Sequence, residues 1–255
     1  FNRVISVNYC NFFIQFSDIF LIISINKYKK SWKIIMHNTL VNLIEIKKKI
    51  QLKMQGQVGI NTLPKIIAVS KTHSMPDILP LINYGHLDFG ENKVQEAIDK
   101  WTETKSKNHD IKLHLIGPLQ TNKVKFVVQI FDYIHSVDRE KLAIKIADEQ
   151  IKQRKKIKIF IQINIANEEQ KSGIKREQAN SFLKFCNELN LDVIGTMCIP
   201  PKDGNSQDYF LEMNQINKEL NLSDLSMGMS EDYLDATENN STFLRIGSKI
   251  FGQRN

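Results

Sequence analysis

Eight short apolar runs, each separated from the next by a stretch of helical spacing, constrain this chain more than any other feature. They lie at 65–70, 88–90, 112–117, 133–136, 158–164, 192–199, 224–227 and 243–247. Several, such as Ile66-Ile67-Ala68-Val69 and Ile159-Phe160-Ile161-Gln162-Ile163, are β-branched and almost uninterrupted, as parallel strands covered on both faces are. Helical patterns fall between them at 94–101, 122–129, 139–150, 175–189 and 207–220. Strands that alternate with helices belong to βαβ units rather than hairpins. A leading helix is expected from Leu40, Leu43, Ile44, Ile46, Ile50 and Met54, with Gly56 and Gly59 ending it. The expected fold is therefore a single-domain α/β chain, a (β/α)8 TIM barrel over 36–255 with a leading N-terminal helix. A doubly wound open sheet is the alternative, but no G-x-G-x-x-G follows the first strand.

Composition narrows the function. The chain carries 35 Lys+Arg against 28 Asp+Glu, a net +7, which raises a polyanionic partner. However, 29 of those cations are Lys and 6 are Arg, beside 35 Ile and 23 Asn, a skew toward residues with A/T-rich codons. The lysines are mostly scattered, and no basic stretch is interleaved with aromatics, so no nucleic-acid partner is expected. Cys10, Cys186 and Cys198 are odd in number and contain no C-x-x-C pair, which points to a reducing, cytoplasmic compartment. No histidine spacing suits a metal site.

In a barrel of this kind the chemistry sits at the C-terminal ends of the strands. The first strand delivers Lys71, an amine expected to be partly desolvated, lowered in pKa and able to form a Schiff base with an aldehyde. The second ends in Gly90-Glu91-Asn92, where Asn92 either hydrogen-bonds a ring oxygen or caps the following helix. The seventh ends in Met227-Gly228-Met229-Ser230, and Ser230 is either a helix N-cap or part of a phosphate site. The eighth ends in Arg245-Ile246-Gly247-Ser248. Gly247 lets the backbone approach a ligand, and Ser248 offers a hydroxyl and an amide. Arg245 lies inside an apolar strand and needs an anionic or acceptor partner.

The chain resembles the alanine-racemase-like pyridoxal 5′-phosphate (PLP) homeostasis proteins, the YggS/PROSC family. The matching segments are Ala68-Val69-Ser70-Lys71-Thr72, Phe89-Gly90-Glu91-Asn92, His114-Leu115-Ile116-Gly117-Pro118-Leu119-Gln120-Thr121-Asn122-Lys123, and Ile161-Gln162-Ile163-Asn164 with Lys171-Ser172-Gly173. They continue through Gly195-Thr196-Met197-Cys198-Ile199-Pro200, Ser226-Met227-Gly228-Met229-Ser230 and Arg245-Ile246-Gly247-Ser248-Lys249-Ile250-Phe251-Gly252. The resemblance implies a TIM barrel like the alanine racemase N-terminal domain, with PLP held on Lys71. It also implies phosphate contacts from Ser230, Gly247 and Ser248, Arg245 near the pyridine nitrogen or the phosphate, and Asn92 as a cofactor neighbour. Two positions depart from the family pattern: Lys93 where an aromatic commonly follows, and Ser248 where Thr is common.

What the resemblance implies is a PLP-binding protein of vitamin B6 and amino-acid or keto-acid balance without catalytic turnover, a monomer, with apo PLP-dependent enzymes as recipients. The alternative is a racemase-like enzyme. Racemases of related fold carry a second, C-terminal β domain with a catalytic tyrosine, for which the residues after Gly252 leave no room.

Residues 1–35 lie outside the resemblance. Their apolar run 19–25 is interrupted upstream by Asn8, Asn11, Gln15 and Asp18, short of the roughly 20 apolar residues of a membrane span. We therefore expect no membrane anchor, and an extraneous or disordered leader ahead of a start at Met36. That leader holds five basic residues and one acidic, leaving 30 against 27 in the remainder. Mass spectrometry of the native N-terminus should find Met36 first; a peptide spanning 20–35 would overturn this.

Overall fold

The computed structural model describes residues 37–55, 62–201 and 205–253, with the backbone of two short antiparallel strand pairs nearer the N-terminus, Ile14–Phe16 with Ile19–Leu21 and Ile23–Ser24 with Lys33–Ile34. Beyond those strands, the proposed leader, and Gly56 and Gly59 as helix terminators, lie outside the described residues. From Asn38 onward the order is α1 (Asn38–Met54), β1 (Lys65–Val69), α2 (Met75–Asn83), β2 (Asp88–Glu91), α3 (Val94–Lys107), β3 (Lys112–Leu115), α4 (Val124–Ile130) and β4 (Tyr133–Val137). It continues with α5 (Glu140–Gln153), β5 (Lys158–Ile163), α6 (Ala179–Glu188), β6 (Asp192–Cys198), α7 (Ser206–Glu219), β7 (Asp224–Ser226), α8 (Tyr233–Glu238), β8 (Phe243–Ile246) and α9 (Ser248–Phe251). The eight β-strands pair in parallel, each with its sequence neighbour, and β8 pairs with β1 to close the barrel. This is the (β/α)8 architecture expected, with the leading helix in place.

Side chains alternate along each strand, so closure sends every second one inward. Ile67, Tyr133, Phe160, Met197 and Phe243 form a separate inner cluster. Their neighbours Ile66, Ala68, Ile134, Ile159, Ile161 and Leu244 point outward into a larger jacket that packs against the helices, with Trp101 and Phe210 fully buried. The apolar runs thus serve both faces. α1 packs on α9, α8 and α2 across the seam between the chain's first and last helices, and Asn42 Nδ2 donates to Ile250 O at 2.9 Å.

Two helices differ from expectation at their starts, where single 3₁₀ turns, Thr121–Lys123 and Arg176–Gln178, precede α4 and α6. α2 was not among the expected helices; Met75, Ile78, Leu79 and Ile82 keep helical spacing, but two prolines, residues that ordinarily break a helix, lie among them. Pro76 sits in the first turn, where its missing N–H has no intrahelical partner to lose. Pro80 forfeits only the bond back to Pro76. Ser74 and Asp77 close the N-terminus with a capping box.

The tightest strand contact is at Gly195. A Cβ there would lie 1.9 Å from Asp224 O, 2.5 Å from its carbonyl carbon and 2.9 Å from Phe160 Cε1, beside a bulge that skips Ile194 in the β5–β6 register. We expect Gly195→Ala to cost about 3 kcal/mol by forcing β6 and β7 apart. Urea unfolding measures this, and an unchanged midpoint would contradict the packing described.

Candidate functional site

The C-terminal ends of β1, β2, β6, β7 and β8 open into a cavity of about 880 Å³ lined by Lys71, Asn92, Ser230, Arg245, Gly247 and Ser248. All six residues singled out from the sequence therefore meet in one place. Pro200, Ile199 and Met229 form part of its rim.

Lys71 follows β1 by two residues and is half-buried. The backbone on both sides of it is tied to α3. Lys100 Nζ donates to Ser70 O at 2.8 Å, to Glu91 Oε1 at 3.0 Å and to Glu96 Oε1 at 2.9 Å, and Thr72 N–H donates to Glu96 Oε1 at 2.5 Å. Glu91 is fully buried and also accepts from Ser70 Oγ at 2.7 Å and Trp101 Nε1 at 2.9 Å. Thr72 adopts φ 66°, a left-handed conformation that costs a β-branched residue energy and is held here by these bonds. Buried charge of this kind holds geometry only while its partners remain.

Asn92 does not cap α3, whose N-cap is Lys93. Instead its Oδ1 is buried without a hydrogen-bond partner among the described residues, at the cavity wall. Gly117 sets this position: a Cβ there would stand 2.4 Å from Asn92 O, so only glycine lets the β3 loop press on Asn92.

The N-cap reading of Ser230 is likewise corrected. Asp232 is the N-cap of α8 and its carboxylate accepts from Met229 N–H at 2.6 Å, while Ser230 Oγ accepts from Gly247 N–H and Lys249 N–H, each at 3.3 Å. The hydroxyl thus joins the β7 loop to the β8 loop. A Cβ at Gly247 would meet Val69 at 3.4 Å, ordinary contact, so no protein neighbour dictates glycine there.

Arg245 is buried, and its partners are neutral: Nη1 donates to Ser226 Oγ at 2.7 Å and Nη2 to Cys198 O at 2.8 Å. Among the described residues no carboxylate hydrogen-bonds it, so the partners it needed are neutral acceptors and its remaining donors are available to the cavity it lines. Burial lowers its pKa from the usual value, opposed by the nearby Cys198 and Asp232.

An orphaned carboxamide oxygen, a cationic donor fork and a loop pair joined through backbone amides suit a flat, phosphorylated, oxygen-bearing ligand. The alanine racemase N-terminal domain model matches residues 42–255. The chain belongs to the pyridoxal phosphate homeostasis protein family. Its relative of that name in Pasteurella multocida (strain Pm70) is 36 % identical over 224 residues, 84 % of this chain and 96 % of the relative. The Haemophilus influenzae relative is 36 % identical over 232 residues, 87 % of this chain and 96 % of the relative. Among solved structures, PipY of Synechococcus elongatus PCC7942 with PLP bound superposes with a TM-score of 0.70 at 30 % identity, covering 81 % of this chain and all of PipY. These family relatives are named as homeostasis proteins rather than as enzymes.

Several residues around the site carried no signal of their own in the sequence. Lys100 is one of many helix lysines. His135 occurs in no motif, and His114 and Ser226 lay inside quoted motifs without a role. Burial holds His86 down at about 4 and lowers His114 and His135 from their ordinary values, with Asp88 opposing it at His86 and His114. Asp88 is itself lowered: burial pushes it up most, but the His114 hydrogen bond and the charges of His114, His86 and Lys65 together outweigh that. In the unfolded chain each imidazole binds a proton near pH 6.5, so below that pH the unfolded state holds more protons and stability falls. His86 alone accounts for about 3 kcal/mol by pH 4. Asp88 contributes stability that is present above 3.8 and lost as the pH drops through its lower folded value. Urea midpoints should therefore decline steadily from pH 7 to pH 4; a flat profile would contradict neutral, buried imidazoles.

Proposed function

We propose that this protein binds pyridoxal 5′-phosphate in vitamin B6 homeostasis, with Lys71 as the residue that holds it, and that it influences amino-acid and keto-acid balance without catalysing a reaction. The observation that carries this reading is the convergence of Lys71, Asn92, Arg245 and the Ser230–Gly247–Ser248 loops on one cavity. Lys71 would hold the cofactor through its side-chain amine, and the cofactor would supply an aldehyde for that amine.

The chain's own residues would then divide the work. The Ser248 hydroxyl and the amides around Gly247 and Ser248 suit phosphate oxygens, with Ser230 holding the two loops together. Asn92 Oδ1 accepts a donor from the ligand or from an intervening water. Arg245 sets a fixed positive charge in the cavity wall, which disfavours a second positive charge on a neighbouring ring nitrogen and leaves the ring a weak electron sink. That suits reversible holding better than carbanion chemistry.

This reading makes the protein a monomer that hands its cofactor to apo enzymes, with neither nucleic acid nor membrane as partner. Among the described residues no helix is long and apolar enough to cross a membrane. A cytoplasmic location fits Cys186 and Cys198, which are free, buried and pushed up to about 12 by burial.

Incubation with PLP should give a visible absorbance band that borohydride abolishes, with the reduced label mapping to Lys71 and absent in Lys71→Ala. No band, or a label on another lysine, would overturn the site. A coupled racemase assay with L-alanine should stay at background; sustained turnover that Lys71→Ala abolishes would make it an enzyme instead.

A further inference from the structure

Below the cavity, an unbroken series of hydrogen bonds crosses the barrel interior. Arg245 Nη1 donates to Ser226 Oγ at 2.7 Å; His135 Nδ1 lies 2.9 Å from that oxygen; His135 Nε2 lies 3.0 Å from His114 Nδ1; and His114 Nε2 lies 3.0 Å from Asp88 Oδ1. Five strands, β8, β7, β4, β3 and β2, contribute one residue each. Asp88 stands at the N-terminal start of β2 and is partly exposed, whereas Ser226, His135 and His114 are shut away from solvent.

The two ends dictate where every proton lies. A guanidinium only donates, so the Ser226 oxygen accepts from it and the hydroxyl proton is left for His135 Nδ1. An imidazole that accepts at Nδ1 carries its hydrogen on Nε2, which His135 then donates to His114 Nδ1. At the other end a carboxylate only accepts, which independently requires the hydrogen of His114 on Nε2. With both rings kept neutral by burial, starting from Arg245 or from Asp88 gives the same assignment, each ring protonated on Nε2. The ring planes are held by stacking, His114 on Tyr133 at 4.2 Å and 9°, His135 on Phe160 at 4.2 Å and 16°.

We propose that His135 and His114 are positioning residues for the cavity, whose proton order, anchored by Asp88 at the lower end of the barrel, turns the Ser226 hydroxyl hydrogen toward His135 and its lone pair toward Arg245. The guanidinium is thereby held in place facing the ligand. Reversing the order would place a His135 N–H and the Arg245 N–H on the same oxygen and leave the serine hydrogen without its acceptor. This inference rests on the reading of the cavity as a PLP site, so its test has one arm that needs no ligand.

In the ligand-free full chain, ¹⁵N-detected histidine spectra at pH 7.5 should show both rings as neutral Nε2–H tautomers. An Nδ1–H tautomer or an imidazolium at either ring overturns the proton order. Asp88→Asn keeps an acceptor at the lower end and leaves the Arg245 end to set the order, so both rings should stay Nε2–H tautomers; an Nδ1–H ring in this variant overturns the order read from Arg245. In the ligand arm, His135→Leu removes the serine's acceptor and should weaken PLP binding at least about tenfold, as losing a bond that orients a charged donor does. His135→Asn places a carbonyl where Nδ1 was and should recover most of that loss. A merely structural histidine would lower thermal stability in both variants and leave the affinity of the folded protein equal to wild type. That outcome, in folded variants, defeats the positioning role alone, whereas a wild-type chain that takes up no PLP defeats the function proposed above and this role with it.

Discussion

Closing eight parallel strands into a barrel leaves a narrow interior that only alternate residues can enter, and the rest of this structure follows from what occupies it. The lower interior is filled by Ile67, Tyr133, Phe160, Met197 and Phe243, so the barrel is a packed core rather than a pore. Polar side chains share these levels: His114 is in register with Tyr133, Ser226 with Met197 and Phe243, and Arg245 with Ile67. Solvent is excluded from most of this layer, so each polar atom must find its partner within the protein or from a ligand.

Arg245 expresses that requirement most strongly. A guanidinium in a closed interior usually demands a carboxylate, yet here its contacts are a hydroxyl and a carbonyl. No carboxylate among the described residues hydrogen-bonds it, so its remaining donors are left for an acceptor-bearing ligand in the cavity. Lys71 solves the opposite problem. Its backbone is pinned by Lys100 and Glu96 of α3 together with Glu91 at the end of β2, so its neighbours are fixed from behind while its side chain lines the cavity. Helix jacket and barrel interior thus hold the two cationic residues independently.

Much of this was legible in the sequence. The eight strands were each located to within about two residues, because apolar β-branched runs bounded by polar turns leave little choice of register or class. Lys71, Asn92, Ser230, Arg245, Gly247 and Ser248 could be singled out because barrel topology places strand C-termini on one face. What the linear chain could not distinguish was role. Ser230 and Asn92 both precede helices, where a cap is the simplest assignment. Only the approach of the β8 loop to Ser230 and the pressure of Gly117 on Asn92 show otherwise. α2 has helical apolar spacing at Met75, Ile78, Leu79 and Ile82, but Pro76 and Pro80 speak against a helix until their position within the turn is known.

Local sequence determined the strands, the helices, the order in which they alternate and hence the face on which chemistry collects, because side-chain periodicity and turn residues act over a few positions. Tertiary structure decided everything that needs residues distant in the chain to meet. It set His135 against Ser226, 91 positions away, and brought the Arg245 guanidinium to Cys198 O, 47 positions away. The direction of a hydrogen bond is a property of such pairs and not of either residue, so the proton order beneath the cavity exists only once the barrel has closed.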